Sequence, residues 1–91
     1  MSEYAIHQPT REELSKLAGA TLLEFGTDWC GYCNRARPLI TQVLSQFPHV
    51  KHLKIEDGLG RKLGRLFKVK LWPTLILLQD GMGIGQASLN R

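Results

Sequence analysis

The segment Thr74–Gln79 constrains the fold more than any other stretch, because its pattern is typical of a strand buried on both faces. It contains the unbroken apolar run Leu75-Ile76-Leu77-Leu78. Successive side chains of a strand point to opposite faces of the sheet, so such a run requires an apolar layer on each side. The dipeptide Asp80-Gly81 that follows is a strong hairpin signal. We therefore expect residues Met82 to Ser88 to pair back antiparallel.

The remaining elements alternate between short strands and helices. We expect strands at Tyr4 to His7, at residues 21–25 and at residues 50–56, with a helix after each of them. The predicted order is β-α-β-α-β-α-β-β. Helices interleaved with strands imply a mixed or mostly parallel sheet with helices on both faces. The sequence thus predicts a single α/β domain over residues 1–91, a length that leaves no room for a second core.

The predicted helices have recognisable boundaries. Thr10 followed by Glu13 forms a capping box at the start of the first helix. The second helix is expected from Asn34 to Phe47, with Pro38 bending its first turns and Pro48 ending it. Its apolar face would consist of Leu39, Ile40, Val43, Leu44 and Phe47. Glycines 58, 60 and 64 weaken the third helix, which we expect to be short.

The charge of the chain is positive and unevenly distributed. The formal net charge is +4 and the isoelectric point is about 9.4. One stretch free of acidic residues carries Arg61, Lys62, Arg65, Lys68 and Lys70. The first interpretation of this basic stretch is the solvated face of a helix, and the second is a docking patch for an acidic partner protein. We expect no nucleic-acid partner, because aromatic residues are not interleaved with these charges.

No segment of the sequence is typical of membrane insertion or export. The longest purely apolar run, Leu75 to Leu78, is far shorter than the roughly 20 residues that span a bilayer. The N-terminus Met1-Ser2-Glu3-Tyr4 lacks a basic start followed by an apolar stretch, so we see no secretory signal. We therefore expect no membrane partner and a cytoplasmic location.

The two cysteines, Cys30 and Cys33, are too close in sequence to serve as a structural staple. A C-x-x-C pair is also half of a tetrahedral zinc site, which His7, His49 or His52 could complete. These histidines form no H-x-x-x-H pair, and none is near the second strand. A zinc site, including one shared across a dimer, therefore ranks below redox chemistry, and two inert cysteines rank lower still.

The cysteine pair lies where a strand leads through a loop into a helix. Free backbone N–H groups and the helix dipole favour an anion at a helix start, so a thiolate on Cys30 is stabilised there. We expect Cys30 to be exposed. Cys33, one turn further in, should be more buried and close enough to attack a mixed disulfide on Cys30. The spacing in this context predicts a redox pair, with Cys30 attacking and Cys33 resolving.

Four features together resemble the thioredoxin family. The segment Trp29-Cys30-Gly31-Tyr32-Cys33 is similar to the family's W-C-G-P-C motif, and Pro38 lies where the family has a kink-forming proline. The segment Trp72-Pro73-Thr74 resembles the family's cis-proline segment, and Asp80-Gly81 resembles its last hairpin turn. The resemblance covers about residues 21–88. It implies a thioredoxin-like three-layer sandwich and thiol-disulfide oxidoreductase activity.

The resemblance also implies roles for individual residues. Cys30 and Cys33 would be catalytic, and Glu24 falls on the position of a buried acid that takes a proton from Cys33. Apolar neighbours favour burial of Glu24 over the alternative of a partly exposed strand residue. The residues implied to bind the substrate are Trp29, Gly31, Tyr32, Trp72, Pro73 and Thr74, with a cis peptide bond before Pro73. The resemblance implies no cofactor and no metal.

Departures from the family pattern change some expectations. Tyr32 replaces the proline between the cysteines, as in pairs similar to those of bacterial periplasmic disulfide isomerases. We therefore expect a reduction potential near or above the roughly −270 mV of thioredoxin. Gly26 stands where the family commonly has tryptophan, and Trp72 stands where it has a small aliphatic residue, so Trp72 would grip an apolar substrate segment or narrow the groove.

The family's last helix has no counterpart before Arg91. We expect its absence to leave an apolar sheet face uncovered. A partner, a second copy in a homodimer, or a shorter core would hide that face, unless the chain is truncated.

The sequence thus supports two functions of different classes. The first is an enzyme that exchanges the disulfides of protein substrates with an unidentified dithiol reductant or oxidant. The second is a binding or assembly module that holds a client protein with little redox turnover. Trp72 and the absent helix favour the second function more than they would in a standard member of the family.

Overall fold

The structure, a computed structural model, describes residues 8–89. The elements in this range are α1 (Arg11–Ser15), β1 (Ala20–Gly26), α2 (Gly31–Leu44), β2 (Lys51–Glu56), α3 (Lys62–Leu66), β3 (Thr74–Gln79) and β4 (Met82–Ser88). The edge strand expected at Tyr4 to His7 lies outside the described residues. In the range 8–89, no helix has the length and apolar character needed to cross a membrane.

The four strands form one mixed sheet in the order β2-β1-β3-β4. β1 pairs in parallel with β2, where Leu23 lies beside Leu53, and antiparallel with β3, where Leu23 lies beside Ile76. β3 pairs antiparallel with β4 through the predicted hairpin. β3 therefore lies between two strands. Its apolar run predicts burial on both faces, but only one face is fully buried, because Leu75 and Leu77 on the other face are half-buried. The predicted α/β fold with a mixed central sheet is confirmed.

One face of the sheet carries the main core, beneath α1 and α3. Its buried side chains are Leu14, Leu23, Phe25, Ile55, Leu63, Ile76 and Leu78. The predicted capping box holds the short α1 in place. The Thr10 hydroxyl accepts the Glu13 N–H at 3.0 Å, and the Glu13 carboxylate accepts the Thr10 N–H at 2.7 Å. Such an N-cap is worth about 1 kcal/mol, which helps a helix too short to form alone.

The opposite face of the sheet is covered by α2, whose buried residues are Cys33, Ala36 and Ile40. The predicted apolar face of this helix is wrong in part, because Leu39 is 63% and Val43 is 56% exposed. The buried stripe runs through Cys33, Ala36 and Ile40 at helical spacing. Leu39 and Val43 therefore lie beside this stripe, at the edge of the contact between α2 and the sheet.

An open apolar groove lies beside this flank of α2. Its volume is about 340 Å³, and it is lined by Leu22, Leu39, Ile40, Val43, Leu44, Leu75 and Leu89. Residues 8–89 place no further layer over these side chains. The sheet face that the sequence analysis expects to be uncovered is therefore open in the described part of the chain.

The observed limits of α2 differ from the predicted range of residues 34–47. The helix starts at Gly31 because the Cys30 sulfur caps it by accepting the Cys33 N–H, and it ends at Leu44. From Gln46 onward, backbone N–H groups bond to carbonyls three residues back, as in the bonds from Gln46 to Val43 and from Phe47 to Leu44. This tighter turn ends the regular helix before Pro48 is reached.

The basic stretch is built around the short α3. Leu63 is buried on its inner side, whereas Leu66 is 51% exposed and Leu59 is fully exposed. Four of the five basic side chains are exposed, namely those of Lys62, Arg65, Lys68 and Lys70. The fifth, Arg61, is half-buried and donates to the Glu56 carboxylate at 2.6 Å. The stretch therefore presents four cations to solvent.

The β3–β4 turn is docked against the loop between α1 and β1. Asp80 and Gly81 both have positive φ angles, of 52° and 83°. The Asp80 carboxylate accepts the Gly19 N–H at 2.8 Å. This hydrogen bond, with a smaller contribution from the Gln79 side chain, lowers the pKa of Asp80. A side chain on Gly81 would collide with the Ser15 carbonyl.

Replacing Gly81 by alanine tests this docking. The left-handed backbone alone should cost the Gly81→Ala variant roughly 1–2 kcal/mol of unfolding free energy, and the collision with Ser15 should add to it. The matched control is Gly85→Ala, because a methyl group at Gly85 meets nothing within 4 Å. The control should stay within about 0.5 kcal/mol of the wild type in urea unfolding. Equal stability of the two variants would contradict the docked turn.

Candidate active site

The two cysteines meet at the start of α2. Cys30 is the N-cap of the helix, and its sulfur accepts a hydrogen bond from the Cys33 N–H at 3.2 Å. Both cysteines are in the reduced thiol form. The unpaired N–H groups of the first helical turn stabilise negative charge at this position. The structure thus places one sulfur at the helix start and the second one turn behind it.

Both cysteines are shielded from solvent. Cys33 is fully buried, as expected, but Cys30 is only 7% exposed. The expectation of an exposed Cys30 is therefore wrong. The physical reason is the indole of Trp72, which packs against both cysteines.

Trp72 is held in place by the end of β2. Its indole N–H donates to the Asp57 carboxylate at 2.8 Å, and the Asp57 N–H donates to the Gly26 carbonyl at 3.0 Å. The ring also lies 3.9 Å from the position that a Cβ on Gly58 would occupy. Sequence reasoning identified Trp72 and missed Asp57. The available signal was that Asp57 directly follows β2, whose carboxyl end lies beside that of β1.

Two further aromatic side chains, those of Trp29 and Tyr32, belong to residues next to the cysteines in sequence. Trp29 is 78% exposed and meets Trp72 edge to face, with ring centroids 5.4 Å apart. Tyr32 is 43% exposed and lies under the Arg35 guanidinium at 5.4 Å. We call Trp29, Tyr32 and Trp72 the aromatic rim. Gly31, which follows Cys30 in sequence, has open space where a side chain would project.

The segment after Trp72 faces the interior. The Trp72–Pro73 peptide bond is cis, and the Pro73 carbonyl accepts the Leu89 N–H at 3.0 Å. Thr74 is fully buried, and its hydroxyl lies 2.9 Å from the Ser88 hydroxyl. The Trp72 indole packs against the cysteine pair, whereas the Pro73 and Thr74 side chains are fully buried.

Glu24 is fully buried in the middle of β1. Its neighbours Leu23 and Phe25 face the main core, so by strand alternation Glu24 faces α2. Its Oε1 atom lies 2.7 Å from Nε2 of His52 on β2. Sequence reasoning identified Glu24 but considered His52 only as a zinc ligand.

The described residues contain no cluster of ligands for the zinc site considered as an alternative. Within residues 8–89, no group of three or more His, Cys, Asp or Glu side chains could hold a metal ion. His52 is bonded to Glu24, and His49 is exposed and stacks edge to face against Phe47. The third histidine of the sequence analysis, His7, lies outside the described residues.

The hydrogen bond between Trp72 and Asp57 can be tested by fluorescence. In a Trp29→Phe background, Trp72 is the only remaining tryptophan. The Asp57→Ala variant should release the indole, shift its emission to the red and increase its quenching by acrylamide. The Gly64→Ala variant should do the same, because a methyl group there would collide with the Asp57 carboxylate.

The matched control for this test is Asp57→Asn, which keeps an oxygen acceptor for the indole N–H. Its emission and quenching should stay close to those of the background protein. Unchanged Trp72 emission in both Asp57→Ala and Gly64→Ala would show that this hydrogen bond does not hold the ring.

The sequence of the chain matches a protein-family model and the sequences of known proteins. A family model described as Thioredoxin matches residues 5–90. The thioredoxin of Chlamydia trachomatis serovar D is 33% identical over 64 residues, which are 70% of this chain and 63% of that protein. The thioredoxin of Chlamydia pneumoniae is 34% identical over 64 residues, with the same two coverages. The match thus spans less than two thirds of the length of these relatives.

Solved structures of thioredoxins superimpose on the described fold. Thioredoxin 2 from Pseudomonas aeruginosa PAO1, in its reduced form, has a TM-score of 0.85 and 55% identity, covering 94% of this chain and 80% of that chain. Mitochondrial thioredoxin 3 from Saccharomyces cerevisiae, in its oxidized form, has a TM-score of 0.73 and 27% identity, covering 81% and 70%. The family match includes the cysteine pair, the segment around Pro73 and all four strands. The chain belongs to the thioredoxin family.

Proposed function

We propose that this chain is a protein thiol-disulfide oxidoreductase in which Cys30 attacks the substrate and Cys33 resolves the mixed disulfide. The observation that carries the proposal is the 3.2 Å hydrogen bond from the Cys33 N–H to the Cys30 sulfur at the start of α2. This position favours negative charge on the Cys30 sulfur, both when it attacks and when it leaves. Membership of the thioredoxin family supports the same chemistry.

The proposed reaction consists of two thiol-disulfide exchanges. The Cys30 thiolate attacks one sulfur of a substrate disulfide, forms a mixed disulfide and expels the other substrate sulfur, which takes a proton from water. Cys33 then loses its proton and attacks the Cys30 sulfur, forming the Cys30–Cys33 disulfide and releasing the second substrate thiolate. Two electrons pass to the substrate. A dithiol reductant restores both cysteines, and the reverse sequence would oxidise a substrate dithiol.

We assign to Glu24 the role of accepting the Cys33 proton. Both residues are fully buried, and the Glu24 side chain faces the helix that carries Cys33. A carboxyl group closed to water on this side of the sheet can accept a proton from a buried thiol that water does not reach. Glu24 therefore suits the second exchange, in which a buried thiol must become a thiolate.

The surroundings of Cys30 suit an apolar segment beside the substrate disulfide. The aromatic rim offers broad apolar faces, and the space above Gly31 leaves room for the substrate chain. The four exposed cations of the basic stretch, Lys62, Arg65, Lys68 and Lys70, suit an acidic partner. We propose that a protein with acidic residues near such a segment is preferred over a neutral one.

The alternative function is a binding module with little redox turnover. One observation favours it. Cys30 is only 7% exposed beneath Trp72, whereas Trp29 is 78% exposed. A client would then bind the aromatic rim without reaching the sulfur. Turnover of a disulfide substrate separates the two functions.

Insulin reduction provides that test. We expect the wild-type protein to accelerate the reduction of insulin disulfides by dithiothreitol, and the Cys30→Ser variant to fall to the uncatalysed rate, because serine forms no disulfide. The control is His49→Gln, an exposed substitution away from the cysteines that should keep full activity. A folded wild-type protein without activity would overturn the enzyme proposal and leave the binding module.

The reduction potential tests the role of Tyr32. We expect a potential above the roughly −270 mV of thioredoxin, and we expect Tyr32→Pro to lower it towards that value. Equilibration with glutathione buffers, followed by thiol labelling, measures both potentials. A wild-type potential below that of the Tyr32→Pro variant would contradict the assigned role.

Two further expectations stay predictions. Sedimentation of the wild type beside a Leu39→Glu variant, which places a charge in the open apolar groove, would detect a homodimer through this face. The cytoplasmic location also stays a prediction from the sequence.

A further inference from the structure

The imidazole of His52 hydrogen-bonds to the buried carboxyl of Glu24. The two atoms, Nε2 of His52 and Oε1 of Glu24, lie 2.7 Å apart, and the residues are 28 positions apart in sequence. We propose that His52 is a positioning residue that connects Glu24 to solvent and returns the Cys33 proton to water. This inference rests on the proposed thiol-disulfide exchange.

Exposure to solvent increases along the three residues. Cys33 and Glu24 are both fully buried, whereas 22% of the His52 side chain is exposed. A proton that leaves the Cys33 thiol therefore starts in a site closed to water. The Glu24 carboxyl has no direct access to water either. The partly exposed imidazole supplies a contact between this interior site and the solvent.

The packing of α2 places Cys33 over the same sheet face as Glu24. Ile40 lines the open groove together with Leu22 and Leu75, so this part of α2 lies against the face to which Leu22 belongs. Glu24 is two residues beyond Leu22 towards the end of β1, and it pairs with Leu75. Cys33 is two turns nearer the start of α2 than Ile40. Glu24 and Cys33 therefore both lie on the side of the groove towards the loop between β1 and α2.

The proton count of the step balances when Glu24 and His52 are counted together. At 2.7 Å, one proton lies between the Glu24 oxygen and the His52 nitrogen. When Cys33 forms its thiolate for the second exchange, its proton passes to the Glu24–His52 pair, which then holds two protons. The carboxylate and imidazole together stabilise this state, and the pair then releases one proton to water at the exposed imidazole. No electrons pass through the pair, because they move only between the sulfur atoms.

Other charged groups lie near this pair. By strand alternation, Lys54 and Glu56 share the side of β2 on which His52 lies. Glu56 is occupied by Arg61 at 2.6 Å. On α2, Arg37 donates to Asn34 at 3.0 Å and lies 4.0 Å from Asp28.

Among these neighbours, imidazole differs from lysine and arginine in that its two ring nitrogens can both donate and accept a proton, whereas the two cations can only donate. His52 is therefore better suited than the neighbouring cations to exchange a proton with water.

The experiment separates the two exchanges with dithiobis(nitrobenzoate), a small chromogenic disulfide. Attack by Cys30 releases one coloured thiolate, and resolution by Cys33 releases the second. In His52→Ala, the first release should keep its wild-type rate. The second should slow roughly a hundredfold at low buffer concentration, the lower end of what general acid–base catalysis contributes. Imidazole added to the buffer should restore the second rate, because it supplies the missing proton acceptor.

His52→Gln is the decisive variant, because glutamine keeps a hydrogen-bonding side chain beside Glu24 but exchanges no proton. We expect its second release to be slow as well. The matched control His49→Gln, at an exposed histidine, should keep both rates. Circular dichroism confirms that each variant is folded.

Each failure identifies a different error. A His52→Gln variant with a wild-type second release, or a slow His52→Ala variant that imidazole does not restore, would overturn the inference about His52 alone. A wild-type protein that forms the first adduct and never releases the second thiolate would overturn the proposed resolving role of Cys33, and the inference with it.

Discussion

The hydrogen bond between the Cys33 N–H and the Cys30 sulfur is the interaction on which the site depends. It makes Cys30 the cap of α2, so the same sulfur atom caps the helix and is the proposed nucleophile. The position of that cap follows from β1, which ends at Gly26 in the middle of the sheet, and from the short loop that follows. The apolar core beneath α1 and α3 fixes β1, and β1 in turn fixes the sulfur.

Most of the fold could be predicted from local pattern. The apolar run of β3, the Asp80-Gly81 turn and the capping box at Thr10 are all encoded by neighbouring residues, and each lies where the sequence places it. The apolar face of α2 could not be predicted in the same way. Helical spacing identifies apolar side chains, but the sheet selects which of two adjacent stripes it contacts. Here it contacts the stripe of Ile40 and leaves that of Leu39 exposed.

The site was predictable to the extent that its chemistry lies in short motifs. The cysteine pair and the Trp72-Pro73 segment are recognisable in the sequence. The interactions that orient them are long-range and are not, since Trp72 bonds to Asp57 fifteen residues away and Glu24 bonds to a residue 28 positions away. Both partners come from β2 or directly follow it, because β2 is the parallel neighbour of β1. The shielding of Cys30 by Trp72 has the same origin in tertiary packing.

The central claim is that the two sulfurs have different tasks, and trapping the mixed disulfide tests it most directly. The Cys33→Ser and Cys30→Ser variants are each mixed with oxidised insulin, quenched with acid and measured by intact mass. The division of labour predicts that Cys33→Ser accumulates a covalent adduct of one insulin molecule on Cys30, whereas Cys30→Ser remains unmodified. An adduct of equal abundance on both variants, or one on Cys30→Ser alone, would contradict the account.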